Sequence, residues 1–135
     1  MEWQRDEITV SDDPGKLDIE FILAGLRDSY WASERSRDIT EQSIAASLCL
    51  GAYRAGQQIG FTRVVTDRAT FSWICDVFVA PEHRGRGVGK FMMQCVIEHP
   101  DLKTTSMWLA TRDAHGLYER FGFVRQEMLR RPRPS

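Results

Sequence analysis

Asp76-Val-Phe-Val-Ala-Pro-Glu-His-Arg-Gly-Arg-Gly-Val-Gly-Lys90 decides how the rest of the chain is read. It follows Thr70-Phe-Ser-Trp-Ile-Cys and precedes an amphipathic stretch, so an apolar strand passes through a short turn and a glycine- and arginine-rich loop into a helix. Thr70–Val79 is apolar on both faces except at Ser72 and Asp76, the pattern of a central strand covered on both sides. From the loop onward, Val88, Phe91, Met92, Cys95, Val96 and His99 recur at helical spacing until Pro100. Backbone N–H groups at the start of such a helix, with Arg84, Arg86 and Lys90 beside them, offer a seat to a phosphate-bearing ligand.

Outward from this stretch the pattern is one of alternation. Trp3–Val10 reads as a first strand closed by Ser-Asp-Asp-Pro-Gly. Ile19, Ile22, Leu23 and Leu26 mark a short amphipathic helix, and Asp28–Asp38 reads as a loop or broken helix in which Tyr30 and Trp31 either line a substrate mouth or pack beneath the loop. Thr40 is placed as an N-cap with Ile39 and Ile44 as a hydrophobic staple, opening a helix to about Leu48. Leu48–Arg54 and Gln58–Thr66 are strands joined by Ala55-Gly56-Gln57, and with Thr70–Val79 they predict an antiparallel meander. Downstream, Ser106–Thr111 is a strand. Asp113 caps a helix carrying Ala114, Leu117, Tyr118 and Phe121, and Phe123–Leu129 is a final strand. The reading is one α+β domain.

Composition narrows the function. The 135 residues carry a formal net charge of -1, which does not favour nucleic acid. The arginines at 125, 130, 131 and 133 lack interleaved aromatics, so RNA is not expected as a partner. Cys49, Cys75 and Cys95 form no C-x-x-C pair, and His83, His99 and His115 show no ligand spacing, so no metal is expected. No run reaches the ~18 apolar residues of a membrane span. Met1-Glu-Trp-Gln-Arg-Asp lacks a signal-peptide profile, and a cytoplasmic protein with no membrane partner is the expectation.

Spacing then separates the phosphate loops. A P-loop, G-x-x-x-x-G-K-(S/T), would need glycine where Arg84 stands and Ser or Thr where Phe91 stands. A G-x-G-x-x-G loop from Gly85 would need glycine where Lys90 stands. What fits is Arg84-x-x-Gly87-x-Gly89 after Val77-Phe-Val-Ala-Pro81. This resembles the Gln/Arg-x-x-Gly-x-Gly/Ala cofactor motif of the GCN5-related N-acetyltransferases (GNAT). Gly116-Leu-Tyr-Glu-Arg-Phe-Gly-Phe123 resembles that family's second motif, and the two motifs, in order, span residues 48–128.

The resemblance implies a GNAT-like fold: a mixed, mostly antiparallel central sheet flanked by helices and splayed after the fourth strand. It implies an acetyltransferase domain over 1–135, with 1–50 on the acceptor side, 70–129 forming the acetyl-CoA-binding core, and 130–135 a flexible tail. It implies an N-acetyltransferase that moves acetyl from acetyl-CoA directly to a primary amine, with a small molecule favoured over a peptide as acceptor. The alternative is a non-catalytic acyl-CoA sensor or partner-binding module on the same fold. Either a monomer or a homodimer is compatible with it.

Residue by residue, Gly85, Arg86, Gly87, Val88, Gly89 and Lys90, with Arg84, would hold the pyrophosphate. Val77, Phe78 and Val79 would pair their backbone with the pantetheine arm, and Thr111 stands where the family places a pantetheine-contacting asparagine. Tyr118 takes the place of the general acid at the leaving thiolate. Full transfer from a phenol of pKa about 10 to a thiolate of about 8.5 is uphill, so hydrogen bonding with late transfer is the expectation. Asp76 is the one acid in the central strand. Read as a base it should have a pKa raised by its apolar surroundings; the alternative is a carboxylate paired with arginine or backbone.

Overall fold

The computed structural model describes residues 1–134; Ser135, the end of the tail expected at 130–135, lies outside the described residues. Six strands form one sheet in chain order: β1 (Glu2–Arg5), β2 (Ile8–Ser11), β3 (Leu48–Arg54), β4 (Gln57–Thr66), β5 (Phe71–Val79) and β6 (Ser106–Trp108). The first five pair antiparallel, and β6 joins β5 in parallel. This is the mixed, mostly antiparallel α+β sheet the motifs imply.

Helix α3 (Val88–Glu98) packs on one face. Phe91, Met92 and Val96 meet Leu50, Val64 and Ile74 there, each such side chain contributing about 1.5–3 kcal/mol by leaving water. The other face is covered by α1 (Ile19–Arg27) and α2 (Arg37–Ala45), and Ile22 and Leu26 cluster there with Cys49 and Phe61. Asp18 starts α1 by accepting from Phe21 N–H. Gly25 lets α1 approach β5, because a Cβ there would fall 2.1 Å from the Phe78 ring.

Several elements differ from the sequence reading. Trp3–Val10 is a hairpin, β1 and β2, because Asp6 takes a left-handed φ of 52° that aspartate tolerates. One strand more at the start puts the splay after β5. Thr40 is not an N-cap: Ser36 caps α2 by accepting from Ile39 N–H, while the buried Thr40 hydroxyl donates to Ser36 O. Asp113 caps nothing; α4 (His115–Glu119) begins after Ala114, whose N–H donates to Thr111 Oγ1. The expected strand at 123–129 is absent. Its apolar residues Phe123, Val124, Met128 and Leu129 fall on alternate faces, so no face repays burial, and Leu129 is 97% exposed.

Candidate active site

The parallel pairing of β5 with β6 stops at Trp73 opposite Trp108. Beyond that point Ile74–Val79 keep β4 on one edge and, among the described residues, have no strand on the other. The gap opens into a cavity of about 650 Å³. Ile74–Val77 form one wall, Leu109–Ala114 and Tyr118 the opposite wall, and Tyr30, Trp31, Arg35 and Arg63 close it from the α1–α2 side.

A bulge in β5 shapes this wall. The β4–β5 register slips between Phe61 and Arg63, and Asp76 sits at the slip with φ 53°. The slip switches the strand's facing: Ile74 packs toward α3, and so do Val77 and Val79, whereas Phe78 packs toward α1. A left-handed non-glycine residue costs roughly 1–3 kcal/mol. Three hydrogen bonds offset it: Trp31 Nε1 donates to Asp76 Oδ1 at 2.9 Å, and Oδ2 accepts from Arg35 Nη1 at 2.7 Å and Arg63 Nε at 2.8 Å. Arg63 Nη1 also donates to Ser47 Oγ at 3.1 Å.

These bonds correct the expectation for Asp76. Burial pushes its carboxyl up, but the hydrogen bonds and charge of Arg35 and Arg63 outweigh burial, and the pKa is lowered rather than raised. It is a buried carboxylate, 4% exposed, held ionised. Neither Arg35 nor Arg63 was singled out by pattern. A signal did exist: Arg63 and Asp76 are the sole charged residues within the β4 and β5 runs.

Tyr118 lines the same cavity and meets Phe123 edge-on at 6.0 Å. Burial, then the nearby Tyr30 and Asp113, raise its pKa, so the phenol keeps its proton at neutral pH. Cys75 also lines the cavity, but burial pushes its thiol up to about 11, which denies it thiolate character. Tyr30 and Trp31 do line the mouth, in edge contact at 5.1 Å, and the Arg112 guanidinium lies 3.7 Å above the Tyr30 ring. Thr111 is in the cavity wall, its hydroxyl accepting from Ala114 N–H.

The glycine loop lies past the end of β5. Gly85 and Gly87 take φ of 77° and 82°, and a Cβ at either would meet nothing within 4 Å. Gly87 is the N-cap of α3, and no side chain caps that end. The backbone here is therefore open to approach, and the first-turn N–H groups of α3 are the kind of donor set a pyrophosphate requires. Arg84 does something different from the general expectation: its Nε donates to Val79 O at 3.0 Å, bracing the loop on β5. Arg86 and Lys90 are exposed. Among the described residues no group of three or more His, Cys, Asp or Glu side chains is placed to hold a metal, and no helix is long and apolar enough to cross a membrane.

Comparison with known proteins gives a consistent picture. The family model described as "Acetyltransferase (GNAT) domain" matches residues 45–125. A curated "putative acetyltransferase" of Gibberella zeae is 31% identical over 116 residues, covering 71% of this chain and 66% of the relative, so the chain spans just under two thirds of that protein's length. A crystal structure from Xanthomonas campestris pv. campestris, described as a "putative acetyltransferase belonging to the gnat family", is 42% identical with a TM-score of 0.92, covering 97% of this chain and 96% of that one. A Staphylococcus aureus structure described as a "probable acetyltransferase" is 25% identical with a TM-score of 0.74, covering 89% and 92%.

Proposed function

The chain belongs to the GNAT acetyltransferase family, and on that premise we propose that it transfers an acetyl group from acetyl-CoA directly to a primary amine, a small molecule rather than a peptide. The observation that carries this is the cleft between β5 and β6, which has an unpaired strand edge on one wall and a protonated phenol on the other. Acetyl-CoA supplies an acetyl group activated as a thioester.

The residues that would hold it differ in kind. The N–H groups from Gly85 to Lys90 would hold the phosphates, each exposed helix-terminus contact contributing roughly 0.3–1 kcal/mol. Ala80 N–H donates to Ile59 O at 2.8 Å, so alternation turns the backbone groups of Val77 and Val79 away from β4, with the Val79 C=O already accepting from Arg84 Nε. The Val77 groups and the Val79 N–H would pair with the pantetheine amides as a further strand would, and the Val79 N–H would stabilise charge developing on the thioester oxygen. Thr111 lies on the facing wall, within the same cleft.

Transfer needs a neutral amine at one side of the carbonyl and a proton for the departing thiolate at the other. Tyr118 holds that proton and donates it through its hydroxyl. Asp76 does not take the ammonium proton; it is a positioning residue that fixes Arg35 and Arg63 and, through the bulge, the aim of Val77 and Val79. The arginine-lined wall disfavours a bound ammonium, so the proton leaves to solvent as the amine docks. With the Cys75 thiol protonated, no acetyl-cysteine stage is called for. An acetyl-CoA-dependent screen of amines, read by mass spectrometry of the product and by release of free thiol, tests the proposal. Acetylated amine in proportion to thiol is expected, and acetyl-CoA binding without turnover of any amine would favour a non-catalytic sensor.

A further inference from the structure

We propose that Arg35 and Arg63, set on Asp76, form a carboxylate-binding subsite, so that the amine acceptor is one that also carries a carboxylate. The inference rests on the reading of this cleft as the place of acetyl transfer to an amine.

Two guanidiniums share one carboxylate, both on the same oxygen, Asp76 Oδ2. Their side chains are only 19% and 13% exposed, and that of Asp76 is 2%. One positive charge is thus left uncompensated in a half-dry wall, an arrangement that is costly until an anion completes it. The remaining charged residues lining the cavity, Arg112 and Asp113, offset one another, so the excess stays positive.

The donor inventory agrees. A guanidinium offers five N–H donors in a planar fork that fits a carboxylate. Arg35 commits Nη1, and Arg63 commits Nε and Nη1. Among the described residues no acceptor meets Arg35 Nε, Arg35 Nη2 or Arg63 Nη2. None of these atoms is buried away from solvent without a partner, and both residues line the cavity. Trp31 holds the other carboxylate oxygen and lines the same wall, which fixes the orientation of the fork.

Two rival anions fit less well. The phosphates of the cosubstrate belong to the loop past Val79, and none of Arg84, Arg86 and Lys90 lines this cavity. A phosphate monoester carries about -1.5 to -2 at neutral pH, more than the single spare charge here can match. A carboxylate matches it one to one.

The test uses the full chain labelled with nitrogen-15, following the Trp31 indole N–H, assigned with Trp31→Phe. Benzoate and its neutral isostere benzamide are titrated at neutral pH and fixed ionic strength. Benzoate is expected to shift the Trp31 signal saturably and benzamide to leave it in place. Arg35→Gln should weaken benzoate by about tenfold or more, the loss of a charge-assisted contact, and Arg35→Lys should restore part of it. No saturable response to benzoate, an equal response to benzamide, or tighter binding of inorganic phosphate than of benzoate overturns the subsite. Should Arg35→Gln fail to fold, the benzoate–benzamide comparison on the unaltered protein still decides. Acetyl-CoA added to the same sample reads the Gly85–Gly89 amides. Loss of that response alone would undercut the transfer reading, and loss of the benzoate response alone undercuts only the subsite.

Discussion

The two ends of β5 that we propose as ligand sites are built from different parts of the chain. Past Val79 the surface is backbone: two glycines at positive φ and the uncapped first turn of α3. At the bulge it is side chain: Trp31, Arg35 and Arg63 converge on Asp76 from the α1–α2 loop, β4 and β5. The backbone site is local and depends on conformation. The side-chain site is assembled from three distant segments and depends on charge balance. A backbone cradle suits a ligand that never changes, and a side-chain wall can be rewritten one residue at a time.

The most damaging change should fall on the side-chain end. Asp76→Asn keeps the shape but removes the charge between two guanidiniums, and breaking a buried pair of this kind costs about 3 kcal/mol or more. The loss is read as a lowered urea midpoint. The folded fraction should still bind acetyl-CoA, because the Gly85–Lys90 loop is built independently, and any weakening should come from the displaced edge at Val77 and Val79. A pH–rate inflection above about pH 5, well past the ordinary aspartate range, should survive in the variant; its disappearance would reinstate Asp76 as the base. The sign of the pH effect follows from the same cluster. The folded carboxyl sits below its unfolded value of about 3.9, so its stabilisation is complete above that pH and is lost as pH falls through the lowered folded value. Thermal melts at decreasing pH should fall more steeply for the unaltered protein than for Asp76→Asn.

Next in size is Tyr118→Phe, which removes a proton donor and leaves the packing on Phe123 in place. Turnover should drop by roughly a hundredfold or more, while acetyl-CoA affinity, set by the loop and the β5 edge, stays as it was. Steady-state kinetics beside direct binding measurements separate the two. An unchanged turnover would remove the role given to the phenol.

The contrast between the two ends also explains what could be read from the chain. The turn into α3 was legible because its requirement is conformational: Gly85 and Gly87 supply the positive φ that carries the chain from β5 into the helix. The meander and α3 were legible from periodicity. The arginine cluster was not, since Arg35 lies in a stretch without periodicity and Arg63 comes beside Asp76 only through the β4–β5 register and its slip. The slip itself leaves little trace, because aspartate at a left-handed φ looks like any other aspartate in an apolar run. The missed hairpin at Asp6 has the same origin.

A smaller effect tests how α1 seats the side-chain end. In Gly25→Ala the new methyl would lie 2.1 Å from Phe78 Cε2, so the helix or the ring must move. Overpacking of this sort costs about 1–3 kcal/mol. Phe78→Leu in the same chain should recover part of the loss, measured by denaturant midpoints. If the double variant is no better than additive, the close approach is not what the glycine provides.

The smallest change is aimed at the backbone end. Gly87→Ala places a Cβ in open space, so nothing collides, yet a left-handed φ of 82° is strained for any L side chain. The fold should lose only about 1–2 kcal/mol. The added methyl, however, sits at the N-cap of α3, where on the proposed reading the phosphates of acetyl-CoA would meet bare backbone. Acetyl-CoA should therefore weaken by about tenfold, equal to some 1.4 kcal/mol, while the benzoate response at Trp31 keeps its strength. Calorimetric titration of acetyl-CoA beside the nitrogen-15 titration reads both ends in one variant. Equal losses at both would mean that the two ends of the cleft are coupled through β5, and that the cradle and the wall cannot be altered separately.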